Sequence, residues 1–138
     1  MTKIPDSLFQ NTKFEDTQLI GINWAAANWP KVTFLKPFEF HNCVLNYSTF
    51  IGLKLKGVPF RNCVARDVDF SEADLTQADC RDTDFTQSRF VETNLTEADF
   101  TQAQGYQINP NQVTLKGTKF SLPEAMALLY GLDIVLTD

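Results

Sequence analysis

Few side chains in this sequence are suited to covalent or metal chemistry: one histidine, His41, and three cysteines, Cys43, Cys63 and Cys80. A Cys–His nucleophile needs thiol and imidazole within hydrogen-bond reach, and a zinc site needs three or four such ligands converging. The spacing offers neither, and no phosphate loop or G-x-S-x-G elbow is present. Carboxylates are the richer resource, with seventeen Asp and Glu against twelve Lys and Arg. They point to recognition by charge.

That charge is unevenly spread. Residues 1–66 hold four acids and eight bases, residues 67–99 ten acids and two bases, and residues 100–138 three acids and two bases. A net charge of −5 with an acidic middle argues against direct binding of nucleic acid, which needs clustered Lys and Arg. No apolar stretch approaches a membrane span, and MTKIPDSLFQ contains no run resembling a secretion signal. With an odd number of cysteines, the expectation is free thiols and a cytoplasmic protein.

What positions these groups is a period of five. From Phe40 every fifth residue is mostly Phe or Leu, through Leu45, Phe50, Leu55, Phe60, Ala65, Phe70, Leu75, Cys80, Phe85, Phe90, Leu95 and Phe100, resuming at Leu115 and Phe120 after Gly105 and Pro110. Two residues before each centre sits a generally small or apolar residue, such as Cys43, Ser48, Val58, Cys63, Ala73, Ala78 and Ala98. Five is the period of neither helix nor strand. It suits a chain that turns a corner every five residues with two side chains inward per side. An earlier stretch (Phe9, Phe14, Leu19, Trp24, Trp29, Phe34) runs in a frame shifted by one, so a one-residue slip is expected near 35–39, at Pro37.

Ala73-Asp74-Leu75-Thr76-Gln77, Thr93-Asn94-Leu95-Thr96-Glu97 and Ala98-Asp99-Phe100-Thr101-Gln102 resemble the repeat of the pentapeptide-repeat family. The resemblance covers about residues 7–120 and implies that family's all-β fold, a right-handed quadrilateral parallel β-helix with twenty residues per coil. One side would then carry Leu55, Leu75, Leu95 and Leu115, and another Phe40, Phe60, Cys80, Phe100 and Phe120. The other two would carry Leu45, Ala65, Phe85 and Gly105, and Phe50, Phe70, Phe90 and Pro110. Cys43 and Cys63 would stack in one inward slot, near enough for a disulfide on distance alone, although the family uses that slot for small filler. His41 would point outward beside Glu39, away from the thiols, which leaves no catalytic, cofactor or metal site.

Asp69, Asp74, Asp79, Asp84 and Asp99 precede their centres, where the repeat uses Asp or Asn for turn hydrogen bonds. Asp67, Glu72, Asp82, Glu92 and Glu97 follow theirs by two, where no acid is demanded, and form the candidate acidic partner face. Gly52, Gly57 and Gly117 fall at corners.

The domain reading is a β-helix over residues 1–121 and a cap over 122–138. Ser121-Leu122-Pro123-Glu124 reads as a capping box opening a short helix that ends at Gly131. Its apolar stripe and tail exceed what a lid needs, so Met126, Leu129, Leu132 and Ile134 are the candidate interface of a homodimer. This ending resembles that of the pentapeptide proteins that protect DNA gyrase from quinolones. The resemblance implies a non-catalytic protein-interaction module, an acidic DNA mimic acting on a type II topoisomerase, with a structural scaffold as the alternative.

Overall fold

A computed structural model describes residues 2–3, 12–26, 38–132, 134, 135 and 137 of the chain. Each fifth residue from Asn42 to Gln102 adopts the left-handed region, with φ from 53° at Asn62 to 73° at Gly57. This is the corner. Side chains other than glycine carry a cost of roughly 1–2 kcal/mol there, which Asn and Asp tolerate best. At many corners a hydrogen bond such as Ala73 N–H to Phe70 O at 3.1 Å closes a turn that needs positive φ at its third residue, while Cys63 N and Val68 N donate instead to the Thr83 and Ser88 hydroxyls. The left-handed residue in turn donates to the coil above, as Glu72 N does to Val91 O at 2.8 Å.

Between corners the chain pairs in parallel with itself. The bridges Val44↔Val64, Thr49↔Asp69, Lys54↔Asp74 and Pro59↔Asp79 place four ladders on each twenty-residue coil. Phe40 lies beneath Phe60 in the same register, and Phe100 beneath Phe120. The result is a parallel β-helix whose strands are one to four residues long.

The core is the set of inward ladders. Phe50, Phe70 and Phe90 stack with centroids 5.3 Å apart at each step, and Phe40 stacks on Phe60 at 5.1 Å. Leu55, Leu75 and Leu95 are buried in one ladder, while Leu115 is half-buried at its open end. Burial of each such side chain contributes about 1.5–3 kcal/mol. Ser48, Thr83, Ser88 and Thr93 occupy the small inward slot without being orphaned. The Ser88 hydroxyl, for instance, accepts from Val68 N and donates to Ala65 O of the coil below.

Two expectations need correction. First, Thr12–Glu15 pairs with Phe38–His41, and Asn23 with Thr49, at an offset of 26 residues. A one-residue bulge would give 21. The difference between 26 and 20 is one pentad plus one, so a slip of one in the frame conceals six additional residues. Residues 35–37 of the expected slip, together with Trp29 and Phe34, lie outside the described residues; Phe38 and Glu39 belong to the strand above it. Phe38 is fully buried where higher coils use a small residue, edge-on to Trp24 at 4.9 Å.

Second, Gly105 and Pro110 do not act as core centres. Gly105 itself takes the left-handed corner, and a Cβ there would fall 2.3 Å from Thr86 Oγ1. The chain leaves the ladder after Gln104 and returns at Thr114. Tyr106 and Ile108 fill the vacated interior, both buried. Neither glycine nor a half-buried proline supplies the volume that the end of the core requires.

A 3-10 segment, Glu124–Leu132, closes this end. The capping box does not form through the Ser121 hydroxyl, which accepts from Gln102 N at 3.0 Å. The Ser121 carbonyl takes the first turn's bond instead, from Ala125 N at 3.0 Å. Side chains three apart eclipse in a 3-10 helix. Ala125 and Leu128 therefore share a row, and Leu128 packs on the core.

Candidate interaction surface

The five candidate acids all occupy left-handed corner positions: Asp67, Glu72, Asp82, Glu92 and Glu97, with φ between 55° and 61°. They do not share a face. The twenty-residue register puts Glu72 and Glu92 on one corner, and Asp67, Asp82 and Glu97 on the three others. Carboxylates sharing a five-residue spacing are dealt around the coil, and only those twenty apart meet.

Arginine decides which carboxylates stay available. Asp67 binds Arg89 Nη1 at 2.6 Å, and Arg89 also approaches Asp69 at 3.5 Å. Asp84 binds Arg66 at 2.8 Å, while Asp79 receives Arg81 at 2.8 Å and Arg61 at 3.6 Å. Burial pushes the Asp79 carboxyl up, but hydrogen bonds from Arg81 outweigh it and hold the group below its ordinary value. Asp69 and Asp84 are lowered in the same way, against burial, by bonds from Ser71 and Thr86 respectively, with Arg89 and Arg66 adding to them.

The side bearing the leucine ladder is different. Its outward column runs Lys54, Asp74, Asn94, Thr114. The corner before it carries Glu72 and Glu92, and the corner after it Gln77 and Glu97. Glu97 accepts from Gln77 Nε2 at 3.0 Å, and Asp74 accepts from the Thr76 backbone at 3.0 Å. Among the described residues no ion pair reaches Glu72, Asp74, Glu92 or Glu97. Lys54 and Lys56 stand one coil below this patch, and Lys116 one coil above Thr96. The acidic surface is therefore two coils deep and bounded by lysine at both ends. Asp74 occupies the slot that the repeat uses for turn hydrogen bonds. Only the twenty-residue stacking places it between Glu72 and Glu97.

The remaining candidates for chemistry stay apart. His41 Nε2 lies 3.5 Å from Glu39 Oε1 on the outside of the coil. Cys43, Cys63 and Cys80 are free and buried. The Cys63 thiol faces the Phe40 and Arg61 carbonyls, and burial pushes it up to about 12, which disfavours the reactive thiolate. Among the described residues no cluster of His, Cys, Asp and Glu fits a metal ion, and no helix is long and apolar enough to cross a membrane.

At the capped end, Met126, Leu129 and Leu132 fall three apart, and the 3-10 geometry aligns them in one row. Met126 and Leu132 are each 41% exposed and Ile134 is 50% exposed, whereas Leu129 is half-buried.

The family model of pentapeptide repeats matches residues 66–102 with eight copies of the repeat. No curated protein matches the chain. Among solved structures, the chain is similar to QnrB1, a plasmid-mediated fluoroquinolone resistance protein, at 15% identity and a TM-score of 0.43, covering 99% of this chain and 97% of that one. It is also similar to a pentapeptide repeat protein of the Arabidopsis thaliana thylakoid lumen, at 26% identity and a TM-score of 0.44, covering 75% of this chain and 61% of that one. A third is HetL of Nostoc sp. strain PCC 7120, a pentapeptide repeat protein involved in heterocyst differentiation regulation. There the identity is 20% and the TM-score 0.39, with 76% of this chain and 44% of that one covered. The family match falls on coils whose backbone bridges keep the twenty-residue register, so residues 66–102 carry pentapeptide repeats wound as a parallel β-helix.

Proposed function

We propose that this chain is a non-catalytic protein-interaction module, a four-sided rod that offers its leucine-ladder side to a basic protein surface. The observation that carries the reading is the contrast between sides. Arginines pair with Asp67, Asp69, Asp79 and Asp84 on the other sides, where Asp82 alone of the candidate acids has no ion pair among the described residues, while Glu72, Asp74, Glu92 and Glu97 gather on one side without cationic partners. Complementary charge of this kind speeds association and gives a steep dependence on salt. In this reading the rod is a cytoplasmic homodimer joined through Met126, Leu129, Leu132 and Ile134.

A DNA-mimicking action on a type II topoisomerase such as gyrase is the sharper form of the proposal. Four carboxylates over two coils, about 10 Å of rod, approach the charge density of a duplex with one charge per roughly 1.7 Å. The patch is only about three base pairs long at that scale, so it suits one basic pocket rather than an extended groove. The rival reading, a structural scaffold without a topoisomerase role, draws on the arginine pairing of the remaining sides.

The deciding experiment compares wild type with a variant carrying Glu72→Gln, Asp74→Asn, Glu92→Gln and Glu97→Gln. Partner capture from a bacterial lysate and gyrase supercoiling are measured across a salt series. Capture or inhibition that falls with salt and is lost in the variant is the expected result. Equal behaviour of variant and wild type leaves the scaffold reading standing.

A further inference from the structure

Successive coils of the leucine-ladder side are joined through the same backbone groups. The centre donates upward, as Leu75 N does to Asn94 O at 2.8 Å and Leu95 N to Thr114 O at 2.9 Å. So does the left-handed corner, with Gln77 N to Thr96 O and Glu97 N to Lys116 O, both at 2.8 Å. The residue two before the centre accepts, Ala73 O from Asn94 N and Thr93 O from Thr114 N, both at 3.1 Å. In the last coil these positions are Leu115, Gly117 and Val113. Among the described residues nothing accepts from Leu115 N–H or Gly117 N–H, and nothing donates to Val113 C=O. The 3-10 segment lies against Pro110–Gln112, and Thr114, Lys116 and Gly117 at this rim are exposed. For a glycine that means exposed backbone: a Cβ on Gly117 would meet only Glu97, in the coil below.

Unpaired N–H and C=O groups at ladder spacing are a template for a further strand. We propose that the rim formed by Val113, Leu115 and Gly117 takes an extended segment of a protein partner as a parallel strand, with an apolar side chain above Leu115 followed by an acidic one beside Lys116. Leu115 and Val113 are half-buried, so the inward ladder ends with apolar surface that a further apolar side chain covers. Lys116 and Lys119 select the acid. Both are exposed, and neither has an ion pair among the described residues. They stand one coil above Glu97 and Asp99, so the sign of the charge reverses at the rim. The chain's own tail is not the occupant: Ile134 and Val135 are 50% and 87% exposed, and the twenty-residue register would set Leu136 beside the Lys116 cation. This strand site is separate from the acidic surface and does not rest on it.

The test uses the full chain, followed by amide NMR shifts and hydrogen exchange. The probes are the end-blocked peptide Ser-Thr-Leu-Glu-Thr, the same peptide with Lys for Glu, and the Glu peptide N-methylated on the threonine before leucine. In the free chain the Leu115 and Gly117 amides should exchange fast and that of Leu95, bonded to Thr114 O, slowly. Slow exchange of the first two would mean that the tail or a second copy already covers the rim, and overturns the proposal. The Glu peptide should give saturable shifts confined to residues 113–120 and protect the Leu115 and Gly117 amides. The Lys peptide should bind about fivefold more weakly, and Lys116→Gln, at an exposed site, should weaken the Glu peptide about threefold. N-methylation removes the donor to Val113 C=O and should abolish binding. Equal binding of the Glu and Lys peptides, undiminished binding of the methylated one, or no saturable shift up to on the order of 10 mM each overturns it.

Discussion

Trp24 stacks on Phe50 with centroids 5.7 Å apart and planes within 7° of parallel, although twenty-six residues separate them rather than twenty. Phe50 thus joins the lower coil, with its offset register, to Phe70 above it at 5.3 Å. Truncation here removes contacts on both faces. Phe50→Ala should cost about 3–5 kcal/mol, read as a drop in denaturant midpoint at unchanged slope. An unchanged midpoint would mean that the two registers are held together elsewhere.

The leucine ladder makes a graded test. Leu75 is 1% exposed and enclosed above and below, whereas Leu115 is half-buried at the end of the stack. Leu75→Ala should cost about 2–5 kcal/mol, and Leu115→Ala clearly less. Equal costs would show that the cap encloses Leu115 as fully as a coil does.

Gly52 and Gly105 share φ of +72°, but their surroundings differ. A Cβ on Gly52 meets nothing within 4 Å, while one on Gly105 meets Thr86 Oγ1 at 2.3 Å and the Thr86 backbone at 3.1 Å. Gly52→Ala should cost roughly 1–2 kcal/mol from the left-handed conformation alone. Gly105→Ala should cost more, and Thr86→Ala should recover only part of the excess, because the backbone contact stays. Thermal melts of the three variants decide it.

Asp69, Asp79 and Asp84 are held below the ordinary carboxylate value in the folded chain. Groups depressed in this way contribute stability that is present above their unfolded pKa of about 3.9 and lost as pH falls through the folded value. Stability should therefore be flat near neutrality and fall in acid. Asp79→Asn should lower the neutral plateau and shallow the acid limb. An acid limb identical to wild type would assign the loss to other carboxylates.

The Met126–Leu129–Leu132 row predicts association. Wild type should be a dimer by light scattering at micromolar concentration, and Met126→Glu with Leu132→Glu should give a monomer with the β-helix signal in circular dichroism retained. A monomeric wild type rejects the interface directly.

The sequence by itself determined the coil. A period of five in side-chain size and a left-handed residue every fifth place are local properties, repeated until only one stacking satisfies them, so the ladders at Leu55, Leu75 and Leu95 were legible before any coordinates. Asp and Asn ahead of each centre were legible for the same reason, since their turn bonds reach only two residues, as from Asp74 to Thr76. Tertiary structure decided what periodicity leaves degenerate. A frame read modulo five cannot distinguish one extra residue from six, and only the pairing of Phe14 with Phe40 counts them. Nor can the frame show that Tyr106 replaces Gly105 in the core, because that choice depends on the volume left at the end of the stack. The spacing of twenty already makes Glu72 and Glu92 neighbours, and Arg81 meets Asp79 two residues away, but the other arginine pairings are settled across coils eighteen to twenty-two residues apart, as at Arg66–Asp84 and Arg89–Asp67.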